Sequence, residues 1–178
     1  MLNQNFELYL PTRMIFGAGK SKTTGEVIQS LRGRKVLVVS DPGVIGANLL
    51  DGILSSIEDA GLSYCVFSDV GHEASLAQVQ EGLNVLRAEE SDLLLSVGGG
   101  SVMDTAKAIG CLATNPGDLR DYEGPEKFKN PPLPTVAVPT TAGSGSELSF
   151  GAVISDDKRK YKFSVRSSMQ IPKVALLD

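Results

Sequence analysis

Two periods of apolar residues alternate along the chain. Arg34–Ser40 (RKVLVVS), Leu62–Phe67 (LSYCVF), Asp92–Val97 (DLLLSV) and Thr135–Pro139 (TVAVP) are short apolar runs without polar alternation. Such runs predict strands covered on both faces. Between them the apolar positions move to helical spacing. Val44, Ile45, Leu49, Leu50, Ile53, Leu54 and Ile57 predict one helix over Val44–Ala60, stopped at Gly61. Leu76, Val79, Leu83 and Leu86 form a stripe over Ser75–Ala88, with Ser75 placed to cap it, and Val102–Leu112 reads as a third helix. Strands alternating with helices of this length predict βαβ units and a mainly parallel sheet.

The pattern breaks at Asn115–Pro134. Pro116, Pro125, Pro131, Pro132 and Pro134 stand among many charges there, and the segment reads as a long surface connection. Phe150–Ile154 and Lys160–Val165 flank the turn SDDK and predict a β-hairpin. The final run, Lys173–Asp178 (KVALLD), is apolar on both faces and predicts an inner strand.

Composition narrows the classes. The 178 residues suit one domain over 1–178, with 42% hydrophobic and 21% charged residues, as in ordinary soluble proteins. The net charge of −4 offers no basic patch for nucleic acid. No apolar stretch approaches the roughly 20 residues that span a bilayer, and the N-terminus lacks a signal peptide's basic start and apolar core. Cys65 and Cys111 sit in apolar contexts and read as buried thiols. A cytoplasmic protein is expected.

The chemistry gathers where strands end. Gly98, Gly99 and Gly100 follow a strand and precede a helix. In an open α/β sheet, ligands sit beyond the carboxyl ends of the strands. Glycine admits close approach, and a helix start offers free N–H groups and the positive end of its dipole. A phosphate cradle is therefore expected, against the plainer reading of a tight turn. Ser101 is placed to cap the helix or to donate to a phosphate oxygen, and SVMD has capping-box spacing with Asp104 in the reciprocal position. Lys107 lies one turn further on the same face. The Gly-x-Gly-x-x-Gly fingerprint is absent; in that fold an acidic residue follows the glycines by about 20 positions, whereas the best acidic candidate here precedes them. Asp41 instead ends the strand VLVVS upstream. It either holds both hydroxyls of a ribose and repels a 2′-phosphate, favouring NAD over NADP, or merely begins the turn DPG. PTTAGSGSE (Pro139–Glu147) is a second polar loop after a strand, with hydroxyls at Thr140, Thr141, Ser144 and Ser146. FGAGK (Phe16–Lys20) is a third glycine turn after a β-like segment.

FGAGK, VVSDPGV, SVGGGSVMDTAKAIG, AVPTTAGSGSE and IPKVALLD occur in the order and spacing of the iron-containing, or group III, alcohol dehydrogenases, which the whole chain resembles. The resemblance implies a doubly wound, Rossmann-like and dehydroquinate synthase-like nucleotide domain with a small hairpin, followed by a helical domain that this chain lacks. It implies NAD(P)-dependent oxidation of small alcohols or reduction of aldehydes, a divalent iron or zinc ion in the full-length enzyme, and homo-oligomers. By matching position, it assigns the pyrophosphate to Gly98, Gly99, Gly100 and Ser101 and the adenosine ribose to Asp41. It places Thr140, Thr141 and Ser144 near the phosphates and the nicotinamide ribose, and sets Lys162, in RKYKFSV, against the cofactor; Asp104 completes the cofactor-binding set. Position 144 is commonly threonine in the family. DVGHEASL (Asp69–Leu76) stands where the family has Pro-Asn-Pro, so His72 and Glu73 replace a cofactor-contacting asparagine. The family's metal ligands are an aspartate and three histidines of the helical domain; the one histidine here, His72, lies outside that pattern, and Asp178 is not among the ligands. No catalytic residue is expected in this segment. Two other readings are a free-standing nucleotide module without turnover and a lyase of the dehydroquinate synthase type. The segment NFELYLPTRMIFG is the expected oligomer contact.

Overall fold

The computed structural model describes residue 5 and residues 9–178. Its strands are β1 (Arg13–Phe16), β2 (Lys35–Val39), β3 (Ser63–Phe67), β4 (Leu93–Gly98), β5 (Gly124–Pro125), β6 (Thr135–Pro139), β7 (Gly151–Asp156), β8 (Tyr161–Arg166) and β9 (Val174–Leu177). Its α-helices are α1 (Thr24–Ser30), α2 (Pro42–Gly46), α3 (Asp51–Asp59), α4 (Leu76–Ala88) and α5 (Gly100–Thr114). Six strands form one parallel sheet in the order β1-β9-β6-β4-β2-β3, and β5-β8-β7 form a small second sheet. β9, the expected inner strand, lies between β1 and β6.

Each covered strand sends alternate residues to opposite faces, so the sheet carries two cores. Val36, Val38, Leu93 and Leu95 face α1, α2 and α3, where Ile28, Ile53 and Ile57 meet them. Leu37, Val39 and Leu94 face α4, α5 and the hairpin, through Leu83, Ile109 and Phe163. Burial of an isoleucine such as Ile109 contributes about 1.5–3 kcal/mol.

Three sequence expectations are corrected. The helix expected over Val44–Ala60 is two helices. It begins earlier because Asp41 caps Pro42–Gly46, with Pro at the first helical turn. It then breaks at Asn48, whose φ is +57°, a conformation asparagine tolerates; Ile45 and Leu49 are consequently exposed. The short helix α1, which buries Val27 and Ile28, has no counterpart among the predicted elements. The connection over 115–134 is not confined to the surface. It carries a 3-10 turn at Leu119–Tyr122 and the strand β5, and it buries Leu119 and Phe128. Asn115 ties it down: its Oδ1 accepts from the Lys129 and Asn130 N–H groups at 3.1 and 2.9 Å, and its Nδ2 donates to the Asn130 carbonyl at 2.9 Å. Helix α4 starts as expected. The Ser75 hydroxyl accepts from the Gln78 N–H, and the Gln78 side chain accepts from the Ser75 N–H at 3.1 Å. Among the described residues no helix is long and apolar enough to cross a membrane.

Candidate functional site

The chain runs from β2 to β3 on one side of β2 and then returns to place β4 on the other. Neighbouring strands whose connections depart in opposite directions leave a crevice at their carboxyl ends. Val39 pairs with Ser96, and Gly98 with Pro139, so the ends of β2, β4 and β6 lie nearly level. Asp41, the three glycines and Thr140 with Thr141 emerge there together. They line a cleft of about 830 Å³, with Leu49, Val70 and His72 on its flanks.

The glycines are sterically required. A Cβ on Gly98 would stand 2.6 Å from Val102 Cγ2 and 3.1 Å from Asp41 Oδ2. One on Gly100 would stand 2.9 Å from Ser144 Cβ, and one on Gly99 3.2 Å from Thr141 Oγ1. The two polar loops thus close on each other over bare backbone. The Thr140 N–H donates to the Gly98 carbonyl at 3.0 Å and ties them.

Helix α5 begins at this point, and among the described residues no side chain caps it. Its residue before the first turn is Gly99, so the expected cap by Ser101 and the capping box with Asp104 are both corrected. The reason is the extra residue of helix gained at Gly100, which carries Ser101 past the capping position. The Ser101 hydroxyl donates to the His72 carbonyl at 2.7 Å instead. The first-turn amides of a 15-residue helix are left facing the cleft, with the positive end of its dipole behind them. Such a helix start can seat an anion on backbone alone.

Asp41 begins the turn and keeps one carboxylate oxygen out of it. Its Oδ1 accepts from the Gly43 and Val44 N–H groups at 2.8 and 3.0 Å and caps α2. Its Oδ2 lies beside Gly98 without a hydrogen bond among the described residues. One carboxylate oxygen therefore holds the turn while the other faces the cleft.

Asp104 lies one turn along α5 and turns away from the large cleft. Its Oδ1 accepts from the Ser146 hydroxyl at 2.6 Å and its Oδ2 from the Val153 N–H at 2.9 Å. Beside it is Lys107, 1% exposed, whose Nζ donates to Ser146 Oγ, Ser149 Oγ and the Gly151 carbonyl at 2.7, 3.0 and 2.9 Å. Desolvation lowers the Lys107 pKa to about 8, against the opposing pull of Asp104 and Glu147. Together Asp104 and Lys107 bolt the 144–151 loop and β7 onto α5. Lys107's position on the α5 face was legible, but its burial was not. Ser144 packs on Gly100, and Lys162 reaches Glu73 at 2.6 Å across a smaller hollow of about 330 Å³ shared with Gly100, Ser101 and Asp104.

A hollow of about 570 Å³ lies elsewhere, between the start of α4, residues 117–120 and the hairpin turn. The Asp156 carboxylate on its wall is held by Arg120 at 2.7 Å and by the Arg159 N–H at 3.2 Å. The free groups converge instead on the glycine turn. Cys111 is buried, and desolvation pushes its thiol up to about 12; Cys65, expected to be buried, is half-buried at the β3 edge. Among the described residues no three His, Cys, Asp or Glu side chains converge as metal ligands, so a donor set for iron or zinc does not lie here.

The chain is similar to known proteins. The family described as iron-containing alcohol dehydrogenase matches residues 11–178. The NAD-dependent methanol dehydrogenase of Bacillus methanolicus is 38% identical over 170 residues, covering 96% of this chain and 45% of the relative. A 1,3-propanediol oxidoreductase structure superposes with a TM-score of 0.94 at 36% identity, covering 98% of this chain and 46% of that one. The NADH-dependent butanol dehydrogenase A of Thermotoga maritima gives 0.92 at 33%, covering 98% and 44%. The chain spans less than half the length of these relatives. With its parallel sheet, its glycine turn at the switch point and its match over residues 11–178, the chain belongs to the iron-containing alcohol dehydrogenase family.

Proposed function

We propose that residues 1–178 form the cofactor-binding domain of a cytoplasmic, metal-dependent alcohol dehydrogenase that takes NAD(H) and acts on small alcohols or aldehydes. The observation that carries this reading is the uncapped start of α5 at the crevice between β2 and β4, with an unengaged Asp41 oxygen beside it. The amides of Gly100 and Ser101 bind the pyrophosphate, and Gly98 and Gly99 keep its approach clear. Asp41 Oδ2 accepts from the adenosine ribose hydroxyls and repels a 2′-phosphate. Thr140, Thr141 and Ser144 offer hydroxyls along the opposite wall, and Lys162 offers a cation at the far end. Asp104 acts one step removed, by holding the loop that carries Ser144. The bound cofactor would supply the hydride chemistry for interconverting alcohol and aldehyde, and the residues named here would hold it. No residue of this chain is assigned to the metal.

Met14 and Phe16 are exposed on the edge strand β1, Phe16 at 83%, and that edge is the proposed contact between copies in a homo-oligomer. Residues 6–8 of the expected contact segment lie outside the described residues.

Titration calorimetry with NAD and NADP tests the site. NAD is expected to bind more tightly than NADP. Asp41→Gly is expected to shift the preference toward NADP by about tenfold, or ~1.4 kcal/mol. No heat with either nucleotide would overturn the cradle, and an unchanged preference would overturn the ribose assignment alone.

A further inference from the structure

The loop between β3 and α4 lies at the rim of the cleft. Its backbone is pinned on both sides of Glu73. The Ser101 hydroxyl donates to the His72 carbonyl at 2.7 Å, and the Ser155 N–H donates to the Ala74 carbonyl at 2.8 Å. Between those pins the Glu73 side chain crosses to the hairpin. Its Oε1 accepts from Lys162 Nζ at 2.6 Å and its Oε2 from the Ser155 hydroxyl at 3.1 Å. Glu73 and Lys162 close over a hollow of about 330 Å³ that shares Gly100, Ser101 and His72 with the phosphate end of the large cleft. Both side chains are more than half exposed, so they swing while the backbone stays fixed.

We propose that Glu73 is a positioning residue that latches Lys162 across this rim, and that dinucleotide binding exchanges the Glu73 carboxylate for cofactor oxygens on the Lys162 ammonium. The inference rests on the cofactor reading above. An anionic ligand at the start of α5 that extends into this hollow competes with the Glu73 carboxylate for the Lys162 ammonium, which lines the same hollow as Gly100 and Ser101. The latch therefore weakens binding of a ligand long enough to reach Lys162, and leaves a shorter one alone. An exposed ion pair is worth little, which sets the size of the effect.

The test measures dissociation constants of NADH and of ADP for the unaltered chain, Glu73→Gln, Lys162→Ala and the double variant. The glutamine side chain keeps the acceptor for Ser155 and removes the charge. Glu73→Gln is expected to tighten NADH about fivefold, to leave ADP unchanged, and to have no effect in the Lys162→Ala background. An equal gain for ADP would mean only the loss of a negative charge near an anion, and would overturn the latch. So would an unchanged NADH constant, or a gain that persists without Lys162. If the unaltered chain binds neither NADH nor ADP, the cofactor reading falls and the latch falls with it.

Discussion

Lys107 is the residue whose cost and use are clearest. A charged amine in the core is unfavourable unless every donor is met, and three oxygens meet these. Replacing it with methionine leaves Ser146, Ser149 and the Gly151 carbonyl short of a donor and removes the cation 3.8 Å from Asp104, and Lys107→Met is expected to destabilise the chain by about 2–3 kcal/mol at pH 7 in urea unfolding. The pH dependence has a definite sign. The folded pKa of about 8 lies below the ordinary 10.5, so above pH 8 the unfolded chain binds more protons than the folded one. Stability is expected to rise from about pH 8 to 10.5, by as much as ~3 kcal/mol from this group, and Lys107→Met should remove that part of the rise. Gly100→Ala acts at the same scale by another route. Its methyl would press on Ser144 Cβ, and the variant is expected to lose nucleotide binding and about 1–3 kcal/mol of stability, read by calorimetry and thermal melts.

At the scale of elements, caps and breaks set what the apolar pattern left open. The stripe from Val44 to Ile57 fits one helix, yet Asp41 starts it early and Asn48 ends its first turns. Short polar chemistry overrode a long periodic signal. In α4 pattern and cap agree, and Ser75→Ala is expected to cost about 1 kcal/mol in urea unfolding. The proline-rich connection shows the converse. Its composition reads as surface, but Leu119 is 1% exposed and packs in the core beside Leu112. Leu119→Ala is expected to cost about 2–5 kcal/mol, whereas a change in a loose connection would cost almost nothing.

At the scale of the whole molecule, separate elements are joined by carboxylates. Asp178 at the end of β9 accepts from the Ser21 hydroxyl and from the Gly19 and Ser21 amides, so the third glycine turn holds a carboxylate of the chain itself. Glu126 takes the Ser168 amide and Ser167 hydroxyl, and Asp156 takes Arg120. Asp178 is held low chiefly by Ser21, Glu126 by Ser168 and Asp156 by Arg120. Groups with lowered folded values add stability above their unfolded pKa and lose it as pH falls. Acid unfolding is expected to begin as pH drops through the ordinary carboxylate range near 4, and Asp178→Asn should flatten its onset in a pH-dependent melt.

The order of apolar and polar residues alone determined the alternation of strands and helices, the parallel sheet, the hairpin and the glycine turn with its neighbouring hydroxyls. These follow from short continuous apolar runs, from the local period of 3.6 and from glycine's freedom, which any short window of the chain carries. Strand order was another matter. Asp41 and Gly98 are 57 positions apart, and only the reversal between β3 and β4 makes them neighbours. Burial of Lys107, the second oxygen of Asp41 and the reach of Glu73 to Lys162 likewise depend on which surfaces meet. Such contacts are decided by packing between distant segments, and no local pattern encodes them.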